Sequence, residues 1–158
     1  LYSGTTKKLK VTRTINGVLN DKIFQIDVKP GWKEGTKLTF EREGDVKPGY
    51  KPQDIIFIIK EKPHDYFKRE REDLIYEEVI SLKQALAGFT IKTKGVDGKP
   101  LTLTVNDVVQ PGTTKRLVGE GMPKKTGGRG DIIFKFNISF PQYLSQEQKD
   151  AMVRFLPN

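Results

Sequence analysis

The side chains able to do covalent chemistry are few. His64 is the only histidine, and there is no cysteine. Thiolate nucleophiles, thiolate zinc sites and disulfide scaffolds are therefore excluded. His64 follows Pro63 with no nucleophile beside it, so it reads as a loop residue rather than a general base. Carboxylates cluster at Glu70, Glu72 and Asp73, and again at Glu77 and Glu78. They alternate with Arg69 and Arg71 or fall on a strand pattern, which reads as a solvated, ion-paired face and not an acid–base pair. Gly119-Glu120-Gly121 lacks the Lys-Ser/Thr of a phosphate loop and the third glycine of a dinucleotide fingerprint. Arg129-Gly130-Asp131 spells an adhesion tripeptide, yet its glycines read as a turn feeding a strand that starts at Asp131. Asn137-Ile138-Ser139 is a glycosylation sequon, set aside because no signal-peptide pattern accompanies it. No catalytic residue, metal site or cofactor is expected, and the chemistry that remains is binding.

Charge says what could be bound. The chain has 28 Lys+Arg against 20 Asp+Glu, a net +8, so an acidic partner is expected and nucleic acid is the first candidate. Residues 1–20 hold Lys7, Lys8, Lys10 and Arg13 and no acid. On a strand, Lys7, Leu9 and Val11 share one face, and Lys8 and Lys10 the other. That apolar strip with a cation at its edge could receive an extended peptide with an acidic end. Leu9 and Val11 could equally be ordinary core beside solubilising lysines. Base stacking needs aromatics interleaved with the cations, and none lies between Lys7 and Arg13. A basic β-rich nucleic-acid-binding domain stays as the alternative. The longest apolar run, Ile55 to Ile59, is far short of the roughly twenty residues that span a bilayer, so no membrane partner is expected.

The elements that must position these residues are mainly strands. Alternation of polar and apolar residues predicts strands at Lys7–Thr12, Ile23–Val28 and Thr36–Glu41, and then at Leu74–Ile80, Phe89–Lys94, Leu101–Val105, Thr114–Val118 and Asp131–Ser139. The apolar run Asp54–Ile59 fits a strand buried on both faces. Asp97-Gly98 is a hairpin-turn signal, and Asn16-Gly17 is a similar one in a longer loop. Two helices are predicted. Ser81-Leu82-Lys83-Gln84 and Ser145-Gln146-Glu147-Gln148 both have capping-box form. Gly88 stops the first helix and Pro157 the second.

The chain also repeats itself. Gly35-Thr36, Phe40 and Glu43-Gly44 match Gly112-Thr113, Leu117 and Glu120-Gly121 at an offset of 77, and Asp54-Ile55-Ile56-Phe57 matches Asp131-Ile132-Ile133-Phe134 at the same offset. Two tandem, mainly β domains are expected, at 1–62 and 74–143, with a charged linker over 63–73 and a C-terminal helix in 144–158. Gly4 aligns with Gly88, which predicts that the first copy starts inside its helix and lacks an upstream strand. A truncated fragment is the expectation.

Several ordered motifs carry a family likeness. They are Lys29-Pro30-Gly31-Trp32-Lys33-Glu34-Gly35-Thr36, Glu43-Gly44-Asp45, Lys62-Pro63-His64-Asp65-Tyr66-Phe67-Lys68-Arg69, Asp73-Leu74-Ile75-Tyr76, the segment Ser81 to Gly88, and Gly119-Glu120-Gly121-Met122-Pro123. Over essentially its whole length the chain resembles the C-terminal substrate-binding region of DnaJ-type heat-shock co-chaperones. Without cysteine it resembles class II, which carries no zinc module. The J-domain motif His-Pro-Asp is absent, so stimulation of a DnaK-class ATPase is not expected of these residues. The resemblance implies two β-sandwich-like domains, each with a short helix. It implies a cytoplasmic, non-enzymatic protein that binds unfolded polypeptide clients in a shallow groove of the first domain. It also implies that the groove takes the acidic Glu-Glu-Val-Asp tail of the seventy-kilodalton (DnaK-class) heat-shock chaperone. The matching positions are Lys7, Leu9, Val11 and Phe67, with Lys10 adding field at the rim; Leu9 stands where some relatives have an aromatic. The family dimerises through its C-terminal helix, and Ala151, Met152, Phe155 and Leu156 supply an apolar stripe for a homodimer.

Overall fold

Asn16 and Gly17 both sit at positive φ, 48° and 85°, the backbone that a two-residue hairpin turn requires. They join β1 (Thr5–Ile15) to β2 (Val18–Val28), with Ile15 directly opposite Val18. The turn is thus tight, not part of the longer loop that its neighbours suggested. Asp97-Gly98 behaves in the opposite way. It lies in a five-residue connection between β7 (Phe89–Lys94) and β8 (Pro100–Val105), where Gly95 N–H donates to Lys99 O at 2.8 Å. The pairing frames, not the dipeptides, decide which turn is short.

The computed structural model describes residues 1–158. Between the two hairpins lie β3 (Lys37–Phe40), β4 (Ile55–Ile58), β5 (Phe67–Glu70), β6 (Asp73–Ser81) and α1 (Leu82–Ala87). After them come β9 (Thr114–Leu117), β10 (Ile132–Ser139) and α2 (Gln146–Phe155). The predicted strands all form, and both predicted caps close. Ser81 and Ser145 accept from the backbone of Gln84 and Gln148, whose side chains reach back to the cap backbone. The fold is mainly β, as expected.

Three sheets have two strands each, β1–β2, β3–β4 and β7–β8, and one has four in the order β5-β6-β10-β9. Within it β6 and β10 run parallel. Strand β5 corrects the reading of 63–73 as a linker. Phe67–Glu70 pairs antiparallel with Asp73–Tyr76, and Phe67 is only 5% exposed. A strand with one apolar residue among charges carries no alternation signal, so only its partner defines it.

The larger core lies between this sheet and the β7–β8 hairpin. Phe67, Leu74, Ile80, Ala85, Ile91, Val105, Ile132, Phe134 and Phe136 belong to one buried cluster. The first copy has a smaller one, in which Phe24, Phe40 and Phe57 meet with ring centroids 5.0–5.7 Å apart. The internal repeat is real at the level of bonds. Arg42 N–H donates to Asp54 Oδ1 at 2.8 Å and Gly119 N–H to Asp131 Oδ1 at 3.0 Å. Gly44 and Gly121 each donate to the residue preceding that aspartate, Gln53 O and Gly130 O respectively, both at 2.7 Å. Gly4 and Gly88 both have positive φ, and a Cβ at either would lie 2.8 Å from a strand carbonyl, Val28 O or Val105 O. Strand β4 departs from expectation, because it is not buried on both faces. Ile56 and Ile58 are 53% and 57% exposed, since β4 has β3 as its only strand neighbour and nothing covers its outer side. No helix is long and apolar enough to cross a membrane.

Candidate binding cleft

A concavity of about 880 Å³ opens where the two halves meet. Its floor is apolar and buried: Val28 from β2, Phe67 from β5, Leu74 from β6 and Met122. Its rim carries Ile58 and four exposed lysines, Lys7, Lys60, Lys62 and Lys68. Lys68 is held by Glu77 at 3.0 Å, whereas Lys7, Lys60 and Lys62 have no carboxylate within ion-pair distance in the fold. The cleft's acids are Glu34 and Glu61, and Glu61 is engaged by Arg69 at 3.2 Å. An extended segment with apolar side chains and carboxylates suits this arrangement of apolar floor and unpaired cations.

Arg69 holds the two walls together. Its side chain is 8% exposed and donates to Trp32 O (2.8 Å), Gly31 O (3.1 Å) and Arg71 O (2.7 Å). The guanidinium of one half thus terminates the Pro30–Trp32 turn of the other. Gly31 is pressed against Pro123, where an added Cβ would meet the carbonyl oxygen at 2.5 Å. Lys33 pairs with Glu72 at 2.6 Å across the same junction, and this hydrogen bond holds the Glu72 carboxyl below its usual range.

The predicted site residues divide into three groups. Lys7 and Phe67 come together as cleft lining, but Phe67 is buried among His64, Tyr66 and Tyr76, with centroids 5.2–5.8 Å away. Leu9 and Val11 continue from Lys7 along the same face of β1, outside the cleft lining. There Leu9 opposes buried Phe24 and is 39% exposed, and Val11 opposes Lys22. Lys10 turns to the other face and is bound by Asp21 at 2.6 Å, whose carboxyl that contact holds below its ordinary range. Sequence reasoning missed Lys60, Lys62, Ile58 and Arg69. The Lys60-x-Lys62 spacing after an apolar strand was the available signal. Nearby, Glu43 is held below its ordinary range by Lys22 and then Arg13, each at 2.7 Å.

A family model, the DnaJ C terminal domain, matches residues 1–141. The chain belongs to the DnaJ C-terminal domain family. It is 43% identical over 167 residues to human DnaJ homolog subfamily B member 5, covering 99% of this chain and 47% of that protein. It is 43% identical over 162 residues to DnaJ protein homolog 1 of Drosophila melanogaster, covering 98% and 48%. With protein SIS1 of Saccharomyces cerevisiae the identity is 37% over 156 residues, covering 96% and 44%. The chain spans about half the length of the curated relatives it matches.

Proposed function

We propose that this DnaJ C-terminal region binds non-native polypeptides and the acidic Glu-Glu-Val-Asp tail of a seventy-kilodalton heat-shock chaperone, without catalysing a reaction, as a cytoplasmic co-chaperone. The observation that supports this most is the pairing of an apolar floor with three unpaired lysines in the cleft. A fully buried apolar side chain of the guest contributes roughly 1.5–3 kcal/mol. Lys7 is the cation for a guest carboxylate, with Lys60 and Lys62 beside it. Leu9 and Val11 extend the apolar track along β1, and Phe67 supports the floor from below. Lys10 contributes field only, because Asp21 already occupies it.

The test is titration of a peptide ending in Glu-Glu-Val-Asp against wild type and Lys7→Ala. Weaker binding by the variant, and loss of affinity as salt rises, are expected. Unchanged affinity, or no salt dependence, overturns the tail-binding reading.

Residues 1–62 and 63–143 are read as two domains, with β5 assigned to the second. Helix α2 leaves Met152, Phe155 and Leu156 at 43%, 76% and 45% exposed, which supports dimerisation through this face. Light scattering should show a dimer that Phe155→Glu dissociates, and a monomeric wild type removes this part of the reading.

A further inference from the structure

The hairpins β1–β2 and β7–β8 are repeat equivalents, and both carry Thr-x-Lys-x-Lys on the solvent side. These residues are Thr6, Lys8 and Lys10 in the first hairpin and Thr90, Lys92 and Lys94 in the second. What stands opposite them differs. In the first, Asp27 opposes Thr6 and accepts from its hydroxyl at 2.8 Å. Asp21 accepts from Thr12 at 2.7 Å and binds Lys10 at 2.6 Å. In the second hairpin the opposing residues are Thr104, Thr102 and Pro100, and Thr90 and Thr104 share a hydroxyl contact at 3.2 Å. Lys92 and Lys94 are exposed and meet no carboxylate. The second face thus keeps the cations of the first and has none of its acids.

The backbone beside these lysines is also open. β7 and β8 pair only with each other, so β7 has an edge with no strand partner. Its inner face is closed, with Ile91 8% and Val105 2% exposed, so a guest would lie along the edge and outer face. Alternate side chains of an extended chain recur at about 6.8 Å, and Lys92 and Lys94 share that period. No aromatic lies on this face to stack on bases, which favours a peptide over a nucleic acid.

We propose that the open edge and solvent face of β7–β8 form a second binding site, for an extended acidic peptide with carboxylates at alternate positions. The site is separate from the cleft, since neither Lys92 nor Lys94 lines it. Its charge-dependent part would weaken with salt.

The test uses the 158-residue chain and a fluorescein-labelled octapeptide of alternating glutamate and valine. Controls are the same peptide with glutamine for glutamate, and single-stranded oligothymidylate. Polarisation should show the glutamate peptide binding more tightly than either control. Affinity should fall about tenfold or more in Lys92→Glu/Lys94→Glu and by less in Lys92→Gln/Lys94→Gln, with circular dichroism unchanged in both. Amide resonances of Thr90–Lys94 should shift on titration, including in a Lys7→Ala background. Four results overturn the proposal: affinity within twofold of wild type in the charge-reversal variant, equal binding of the glutamine peptide, tighter binding of the oligonucleotide, or resonance shifts confined to β1. Because the site is read in the Lys7→Ala background, its failure is distinguishable from failure of the cleft.

Discussion

Replacing Arg69 by methionine keeps most of the side chain's volume and removes its five donors. The structure says what is lost. Trp32 O, Gly31 O and Arg71 O lose donors at 2.7–3.1 Å, and Glu61 loses a partner at 3.2 Å. Gly31 is buried, so water cannot readily replace the guanidinium at its carbonyl. Hydrogen bonds to a charged group contribute about 1.5–3 kcal/mol each, and bonds made by one side chain do not add fully. Glu61 is 31% exposed, so its share is small. The expected loss is about 3–4 kcal/mol, a large fraction of the roughly 5–15 kcal/mol that keeps a domain folded. Trp32 is the only tryptophan and its own carbonyl is one of the acceptors, so its fluorescence reports on the perturbed spot. Urea unfolding of wild type, Arg69→Met and Arg69→Lys should give midpoints in the order wild type, Lys, Met, because an ammonium can reach only some of the four acceptors. Native-state emission of Trp32 should shift in the methionine variant as the turn loosens. If Arg69→Met unfolds within about 1 kcal/mol of wild type and its emission is unmoved, Arg69 does not clamp the two halves.

Two further outcomes follow from particular residues. Arg42 holds a φ of 58° where the second copy has Gly119 at 75°, so Arg42→Gly should stabilise the chain by about 1 kcal/mol in urea unfolding, with binding to the cleft unchanged. Asp21, Glu43, Glu72, Asp107 and Asp131 all have carboxyls held below their ordinary values, by Lys10, Lys22, Lys33, Lys115 and the Gly119 N–H respectively. Their folded forms are favoured when ionised, so this contribution is fully present above the ordinary values of 3.8 and 4.5. It is lost as pH falls through the depressed folded values. The thermal midpoint should therefore fall on acidification below about pH 4.5, and Glu43→Gln should flatten part of that fall; a midpoint rising with acid would contradict the ion pairs.

The strands were legible where alternation is enforced by one buried face. In β2 the order Phe24, Ile26, Val28 buried and Gln25, Asp27 exposed is the same in the sequence and in the fold. The caps at Ser81 and Ser145 were legible because a capping box is a local bond pattern. Strand β5 was not, since Phe67-Lys68-Arg69-Glu70 has no period of its own and is a strand only by virtue of β6. The candidate site was half legible. Lys7 announced itself through an acid-free segment, whereas Lys60, Lys62 and Arg69 reach the same cleft from two other elements. Convergence of that kind depends on tertiary placement, so the Lys60-x-Lys62 spacing after an apolar strand could mark two cations but not the cleft they share with Lys7 and Arg69.

The repeat shows most directly how identical sequence can acquire different jobs. Asp54-Ile55-Ile56-Phe57 and Asp131-Ile132-Ile133-Phe134 are the same four residues, with the same aspartate bonded to the same backbone position. In the second copy the strand lies between β9 and β6, and Ile132 and Phe134 are fully buried. In the first copy it has only β3 beside it, and Ile56 and Ile58 face outward. At the matched positions the difference is one of neighbours: Ile55 and Phe57 are half-buried where Ile132 and Phe134 are buried, and Ile56 is exposed where Ile133 is half-buried. At Ile58 the residue itself differs, since the second copy has Lys135 there, so the first strand leaves an apolar wall where the second completes a core. Ile58 is part of that wall and reaches the cleft rim beside Lys60. A surface that is apolar because its strand lacks a partner, and cationic because its lysines lack carboxylates, is unsatisfied in both respects, and a segment carrying both complements relieves both at once.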